Sequence, residues 1–254
     1  MGLPNADIIL HSRRHDAELN FLYLMKTILI LMGIFVMSFP IALTWSYVLV
    51  RKKSFDENLL YERKLTVKEF LSRLQYGIRN FVLIAVITMI ALVLIGDEFF
   101  SFAPINFSTF AIGFIIILVV DDVYFYCIHR IMHSVPYIYK KIHSVHHRAI
   151  PPIPIDYLYA HPIEAVAASL GLVVGLLFVI PIQGEISIYV FAAFTTYRTL
   201  HELALHSGME VVPNKWVGFL GSSKHHYLHH KYLKGNYASG LTYLDKLFNT
   251  EIKK

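Results

Sequence analysis

The segment that decides the fold is F-I-I-I-L-V-V-D-D-V-Y-F-Y-C-I-H-R-I-M-H, residues 114–133. Its first seven residues are wholly apolar, and it then passes through Asp121 and Asp122 to His129 and His133. Side chains four residues apart lie on one face of a helix, so the two histidines point the same way. The segment therefore predicts a membrane span over Pro104–Ile128 that leads directly into a pair of metal-binding side chains.

The composition of the whole chain agrees with a membrane protein. Of 254 residues, 56% are hydrophobic and 16% are charged, whereas soluble domains carry roughly a quarter charged residues. This excludes a disordered chain and argues against a water-soluble globule. The single cysteine excludes a disulfide scaffold, a thiolate zinc site and a cysteine-bound iron–sulfur cluster. The net charge of +5 fits basic cytoplasmic loops, so we expect no nucleic-acid partner.

Four more apolar stretches accompany the first, and a helix needs about 20 residues to cross a bilayer. They are Phe21–Val50, Tyr76–Ile95, Pro162–Ile182 and Ile186–Leu200. The last can be a complete span or half of a re-entrant hairpin. We therefore expect an all-α, polytopic membrane helical bundle of four or five transmembrane helices with a cytoplasmic, histidine-rich helical cap. It would be a single membrane-embedded domain over residues 1–254, with N-terminal spans in 21–128 and a histidine-rich region in 129–250.

The orientation follows from the positions of Lys and Arg in the short loops. Segments 97–103 and 183–185 contain neither residue, whereas 51–75, 129–150 and the C-terminal tail are basic. The histidine-rich segments are thus expected to be cytoplasmic, in an integral protein of a bacterial inner membrane or of the endoplasmic reticulum.

Twelve of the fourteen histidines fall between His129 and His230. They form four groups: H-R-I-M-H (His129, His133), H-S-V-H-H (His143, His146, His147), H-E-L-A-L-H (His201, His206) and H-Y-L-H-H (His226, His229, His230). The three histidines of each H-x-x-H-H share a helix face. His201 and His206 are about 140° apart on an ideal helix, so they need a bulge or serve different parts of a site. Chance can explain the first group alone but not two such triplets.

This density of imidazole indicates two metal ions. Imidazole binds iron, zinc, copper and nickel, and eight to ten such ligands exceed what one ion holds. The chain lacks the Glu-x-x-His motif of carboxylate-rich di-iron bundles, so the predicted site is rich in nitrogen. The H-E-L-A-L-H group is one residue too long for the zinc-protease motif H-E-x-x-H, and we give that interpretation little weight.

Together these segments resemble the fatty acid hydroxylase and sterol desaturase superfamily of integral-membrane, non-haem di-iron enzymes, nearest to its sterol methyl oxidase-like members. The resemblance runs from Asp122 to about Thr250. Its motifs are D-V-Y-F-Y-C-I-H-R-I-M-H (122–133), K-I-H-S-V-H-H (141–147), A-H-P-I-E (160–164), H-S-G (206–208), H-Y-L-H-H (226–230) and the closing L-D-K-L-F-N-T (244–250). One departure is Cys127, where the family usually has Trp.

The resemblance implies a single oxygenase domain with two iron ions per chain and O2 as co-substrate. It would hydroxylate, desaturate or demethylate a membrane lipid such as a sterol or a fatty acyl chain. The implied metal ligands are His129, His133, His143, His146, His147, His201, His206, His226, His229 and His230. Asp122, His161 and Glu164 are candidates to accept hydrogen bonds from metal-bound imidazoles. A separate electron donor (a reductase, ferredoxin or cytochrome) is implied, because the chain has no H-P-G-G motif, cysteine cluster or G-x-G-x-x-G loop.

Other functions remain open at this point. A membrane metal transporter or metal-binding protein would carry charged residues or histidines through several spans, but Asp121 and Asp122 are the only acids well inside one. A catalytically inactive scaffold is disfavoured by the full histidine set. Among enzymes, a carotenoid hydroxylase or an ether-lipid monooxygenase is an alternative.

Overall fold

The computed structural model describes residues 6–51, 60, 65–209 and 219–253, without side chains for 6–20 and a few further positions. Its α-helices are α1 (Ala6–Arg51), α2 (Val67–Phe99), α3 (Phe107–Ser134), α4 (Pro136–Lys141), α5 (Pro162–Gln183), α6 (Ile188–Leu205), α7 (Ser223–Tyr232) and α8 (Tyr243–Leu247). Two 3₁₀ helices cover His143–Arg148 and Pro154–Leu158. Strands β1 (Phe100–Ser101) and β2 (Ile186–Ser187) pair in parallel and are the only sheet among these residues.

The predicted all-α membrane bundle is confirmed. Within the described part of the chain, four segments are long and apolar enough to cross a membrane, namely Ile28–Val48, Val67–Leu94, Phe107–Ser134 and Pro162–Gln183. Only 12–28% of their most apolar windows is buried within the protein, which leaves the remaining apolar surface to face lipid. The fifth apolar stretch forms α6, which is not among these four segments.

Several helix boundaries differ from those predicted from the sequence. A reciprocal pair of hydrogen bonds between Thr66 and Glu69 caps the start of α2. At its other end α2 continues to Phe99, past the predicted stop at Ile95. Similarly, α3 runs beyond Ile128 to Ser134. The first histidine pair therefore lies on the last turns of a membrane helix rather than in a separate segment.

The contact between α3 and α5 depends on two small residues of the sequence G-L-V-V-G, residues 171–175. A Cβ atom at Gly171 would collide with the carboxylate of Asp121, and one at Gly175 would lie 3.0 Å from Ile117 Cγ2 and 3.1 Å from its Cα. Tyr124 Oη also donates to the carbonyl oxygen of Ala167 at 3.0 Å. Glycines at this spacing let membrane helices approach closely, and they bring α5 onto the helix that carries the first histidine pair.

We expect Gly175→Ala to destabilise the protein, because its methyl group has no room against α3. Overpacking of this kind costs about 1–3 kcal/mol. The matched control is Gly33→Ala in α1, where an added Cβ meets nothing within 4 Å and the helix propensity of alanine is favourable. Thermal unfolding in detergent should show a lower midpoint for Gly175→Ala and an equal or higher one for Gly33→Ala. Equal shifts in the two variants would contradict this account of the helix contact.

Residues 149–161 form a connecting segment that is locked onto α2 by buried polar contacts. Arg73 Nη1 donates to Asp156 Oδ2 at 2.7 Å. Asn80 Nδ2 donates to the carbonyl oxygen of Leu158 at 2.8 Å. These contacts fix a segment whose own regular structure is limited to the short 3₁₀ helix Pro154–Leu158, and it lies directly beside the histidine site.

Candidate metal centre

Nine imidazoles converge where α3, the 3₁₀ helix His143–Arg148, α6 and α7 meet. The first group consists of His129, His133, His143, His147 and His229, and the second of His146, His206, His226 and His230. Within each group the candidate ligand atoms all lie within 4.8 Å of one another. Nine of the ten histidines implied as ligands are thus brought together.

Each H-x-x-H-H triplet divides between the two groups in the same way. His143 and His147 have Nε2 atoms 3.0 Å apart, and His226 and His230 repeat this distance. The ring of His146 instead lies parallel to that of His143, with centroids 5.8 Å apart. The last triplet shows the same parallel stacking, at 6.0 Å, between its first and second histidines. The first and third histidines of a triplet therefore serve one group, and the middle histidine crosses to the other.

The close approach of the Nε2 atoms fits a metal ion among them. Contacts between Nε2 atoms within the groups range from 2.8 Å, for His133 and His143, to 3.2 Å, for His129 and His143. Two nitrogens bound about 2.1 Å from one ion at right angles are about 3.0 Å apart. Neutral imidazoles whose lone pairs face each other at this distance repel one another unless a cation lies between them. The donor set is therefore suited to a nitrogen-liganded metal.

The opposite ring nitrogen of five imidazoles is held by an acceptor. The Nδ1 atoms donate to Tyr237 O (from His129, 2.7 Å), Gly235 O (from His229, 2.8 Å), Tyr159 O (from His146, 3.1 Å), Glu202 O (from His206, 2.8 Å) and Glu164 Oε1 (from His143, 2.8 Å). An Nδ1–H donor leaves the Nε2 lone pair free for a metal and fixes the plane of the ring.

Burial lowers the pKa of five imidazoles that lie outside the membrane-spanning helices. It lowers the pKa of His143 to about 3 and that of His146 to about 4. It also holds the pKa values of His226, His229 and His230 well below the usual histidine range, and neighbouring imidazoles add to the effect. A metal binds only the deprotonated ring, so these five rings are ready for metal at neutral pH.

The C-terminal tail supports the site through its backbone. Asp245 accepts hydrogen bonds from the backbone nitrogens of Tyr237 and Ala238, both at 2.9 Å. Burial alone raises the pKa of this carboxyl, but hydrogen bonds from His225, Thr250 and Ala238 keep it below the usual aspartate range. The resulting turn presents the Tyr237 carbonyl oxygen to an imidazole of the first group.

Three predicted residues lie apart from the two groups. His201 Nε2 is 3.0 Å from the carbonyl oxygen of Ser239, in keeping with its unfavourable spacing of five from His206. Asp122 Oδ1 accepts from the backbone of residues 240 and 241 and so ties α3 to the tail. His161 Nδ1 accepts from the backbone nitrogen of Ile163 and caps α5. Of the three predicted supporting residues, Glu164 is the one that contacts a histidine of the groups, as given above.

Sequence reasoning missed Glu202. Its Oε2 lies 3.8 Å from His206 Nδ1, and its Oε1 accepts from Ser239 Oγ at 2.6 Å. Burial by itself raises the pKa of Glu202, but His206, Ser239, His201 and Arg198 bring it below the usual glutamate range. The available signal is the acid that directly follows His201 in the third histidine group, H-E-L-A-L-H.

A cavity of about 410 Å³ opens beside the histidines. Its walls come mainly from apolar side chains of α2, α5 and α6, with Phe81, Leu176 and Phe191 as examples. His129, His143, His146, His206 and His226 also line it. The volume is in the range of pockets for small organic ligands, and an apolar ligand held there would lie against both groups.

Comparison with known proteins identifies related chains. The model of a family described as fatty acid hydroxylase matches residues 114–250. Methylsterol monooxygenase 1 of Rattus norvegicus is 33% identical over 137 residues, which is 53% of this chain and 45% of the rat protein. A very-long-chain aldehyde decarbonylase of Oryza sativa subsp. indica is 33% identical over 138 residues, 52% of this chain and 50% of the rice protein. The matched part thus spans about half the length of these relatives. No solved structure matches significantly.

Proposed function

Because this chain belongs to the fatty acid hydroxylase family, we propose that it is a membrane oxygenase that uses O2 to oxidise a C–H bond of a lipid. The observation that carries the proposal is that histidines of both imidazole groups line one apolar cavity. Hydroxylation of a C–H bond consumes O2, two electrons and two protons and yields an alcohol and water. Desaturation and demethylation are variants of the same oxidation.

We propose that each group holds one iron ion, giving two per chain. Bound there, the ions would supply the reduction of O2 and the oxidation of an unactivated C–H bond, which side chains cannot perform. The ligands in this proposal are the nine histidines of the two groups, without His201. Zinc would also be accepted by such a donor set, and the usual order of metal affinities favours it over iron.

The remaining residues of the site orient the imidazole rings, exclude water and bind the lipid. The acceptors on Nδ1 keep five of the nine rings in one tautomer and one plane, so that their Nε2 atoms stay directed inward. The apolar walls of the cavity exclude water and bind a hydrocarbon by burial of its surface. A lipid can enter between the spans, since most of their outer surface is apolar and faces the bilayer.

We further propose that the histidine side faces the cytoplasm and that a separate protein delivers the electrons. The basic segments on that side support the orientation. Relatives named for methylsterol oxidation and for aldehyde decarbonylation support a lipid substrate, and a sterol or a fatty acyl chain fits the cavity's apolar lining. A transport function is disfavoured because the histidines gather at one end of the described helices rather than along a path through them.

The direct test compares the lipids of cells that express the chain with those of cells that express His146→Ala/His229→Ala. We expect at least one lipid in the wild-type cells to carry one additional oxygen or one additional double bond. Metal analysis of the protein purified from iron-replete cells should find about two ions per chain. Identical lipid profiles together with full metal loading and a supplied electron donor would refute the proposal.

A further inference from the structure

One arginine lines the cavity among the residues that the structure describes, and it lies on α6. Arg198 is accompanied on the cavity wall by Thr195, Thr199 and Glu202. The spacings of these residues place them on one face of the helix. A charged side chain on the wall of an apolar cavity is unfavourable unless it is paired or hydrogen-bonded.

The guanidinium of Arg198 contacts two oxygen atoms of neighbouring helices, and these contacts do not use all its N–H donors. Its Nη2 donates to the carbonyl oxygen of Ala168 at 2.7 Å, and its Nε lies 3.4 Å from Asp121 Oδ2. A guanidinium has five N–H groups in a fixed plane. Nη1 has no acceptor among the described residues. The two contacts therefore fix the orientation of the group without using all its donors.

A second polar group on the same wall lacks a partner. Thr195 Oγ1 is buried and makes no hydrogen bond with any described residue. A buried hydroxyl normally has a partner, since leaving one unpaired is unfavourable. The hydroxyl lies on the cavity wall one turn before Arg198. An oxygen atom of a bound ligand would satisfy both groups.

The charged side chains around Arg198 indicate which type of ligand oxygen can bind there. Asp121 lies beside the guanidinium, and Glu202 lies one turn further along α6. A ligand carboxylate or phosphate would meet these acids as well as the arginine. A neutral hydroxyl can accept from Arg198 and donate to Thr195 without adding a charge.

From this arrangement we propose that Arg198 and Thr195 form a subsite that binds a hydroxyl group of the lipid. The subsite selects lipid alcohols over hydrocarbons and over fatty acid anions, and it rests on the proposed lipid-oxidising function. Asp121 is a positioning residue, because it acts by orienting the guanidinium.

Ligand binding without turnover tests the proposal. The full chain, loaded with metal in nanodiscs and kept free of oxygen and reductant, is titrated with tritiated 1-hexadecanol. Unlabelled 1-hexadecanol, hexadecane and palmitate then compete for the site. The matched variants are Thr195→Val and Thr196→Val, since Thr196 is exposed and bonds within its own helix to the carbonyl oxygen of Ala192. Arg198→Met tests the guanidinium.

We expect the wild type to prefer 1-hexadecanol to hexadecane by at least about tenfold and to bind palmitate more weakly than the alcohol. Thr195→Val should reduce the alcohol preference by about three- to tenfold and Arg198→Met by more, whereas Thr196→Val should leave it unchanged. An unchanged preference in Thr195→Val overturns the subsite, even if Arg198→Met fails to fold. Tighter binding of palmitate than of 1-hexadecanol overturns the assignment to a neutral hydroxyl. A chain that binds alcohols selectively but oxidises no lipid would instead overturn the proposed function.

Discussion

Replacing His229 or His230 with alanine is expected to remove one metal ion each, from different groups, and to abolish lipid oxidation. The two residues are adjacent in sequence, but His229 belongs to the first group and His230 to the second. Product formation should fall by at least about 100-fold, because even the loss of a partner that only orients a ligand costs 10–100-fold. Metal analysis of the purified variants should find about one ion per chain in each.

Double variants test the crossed arrangement of the triplets. His147→Ala/His229→Ala removes two ligands of the first group and should leave one ion per chain. His229→Ala/His230→Ala takes one ligand from each group and should leave none. If each triplet instead served a single ion, the first pair would lose both ions and the second pair only one.

The control for these variants is His225→Ala on the same helix. His225 lies outside both groups, with its Nε2 3.2 Å from Asp245 Oδ2. The variant should keep both ions and most of its activity, since only one of several contacts to Asp245 is lost. Damage equal to that of His226→Ala would show that the ligand face of α7 has been assigned wrongly.

The spacing of the histidines made much of this site predictable, because in a regular helix the separation of two residues in sequence determines whether their side chains lie on the same face. The pairs at four residues, such as His129 and His133, follow from this rule and lie together. The spacing of five between His201 and His206 indicated a conflict, and the structure places only His206 in a group. The crossed division of the triplets was not predictable, because a shared helix face does not specify which neighbour each ring meets.

The supporting contacts were less visible for a different reason. Four of the five Nδ1 acceptors are backbone carbonyl oxygens, for example that of Tyr159. Every residue type carries a backbone carbonyl oxygen, so no sequence motif can indicate which carbonyl accepts a hydrogen bond. The carboxylate acceptor Glu164 was found because its residue type is distinctive. Asp122 was misleading because its two-turn separation from His129 places it on the correct face but too far along the helix, where it holds the tail instead.

The chain's membrane spans were predictable from composition, whereas the locking of the connecting segment was not. The apolar runs locate all four spans, since a bilayer demands a minimum length. Their ends were less well predicted: α2 begins at Val67 rather than Tyr76, and α3 ends at Ser134 rather than Ile128. The contact between Arg73 and Asp156 joins residues 83 positions apart, and only the folded helices bring them together. The sequence places Arg73 in the basic loop 51–75, whereas in the structure it lies on α2.

Removing Arg73 is therefore expected to have a large effect both on stability and on the metal site. The pair is almost fully buried, with side-chain exposures of 7% for Arg73 and 0% for Asp156. Breaking a buried ion pair by deleting one partner costs about 3–5 kcal/mol, which lowers the unfolding midpoint by roughly 10 °C for a protein of this size. The connecting segment also carries the carbonyl oxygen of Tyr159, which orients His146. Arg73→Met should therefore lose metal from the second group before the protein unfolds.

A double-mutant cycle separates the ion pair from the other contacts of Arg73. Arg73→Met/Asp156→Leu should cost less than the sum of the single changes, because the double variant leaves no unpaired charge. The matched control is Arg79→Met on the same helix, since Arg79 is exposed and makes a longer, 3.3 Å hydrogen bond to Ala160. The unfolding midpoint and the metal content of all four variants are measured together. If Arg73→Met unfolded no earlier than Arg79→Met, the connecting segment would be held by its other contacts, such as the hydrogen bond from Asn80 to Leu158, because the buried ion pair would then contribute nothing that a surface arginine does not.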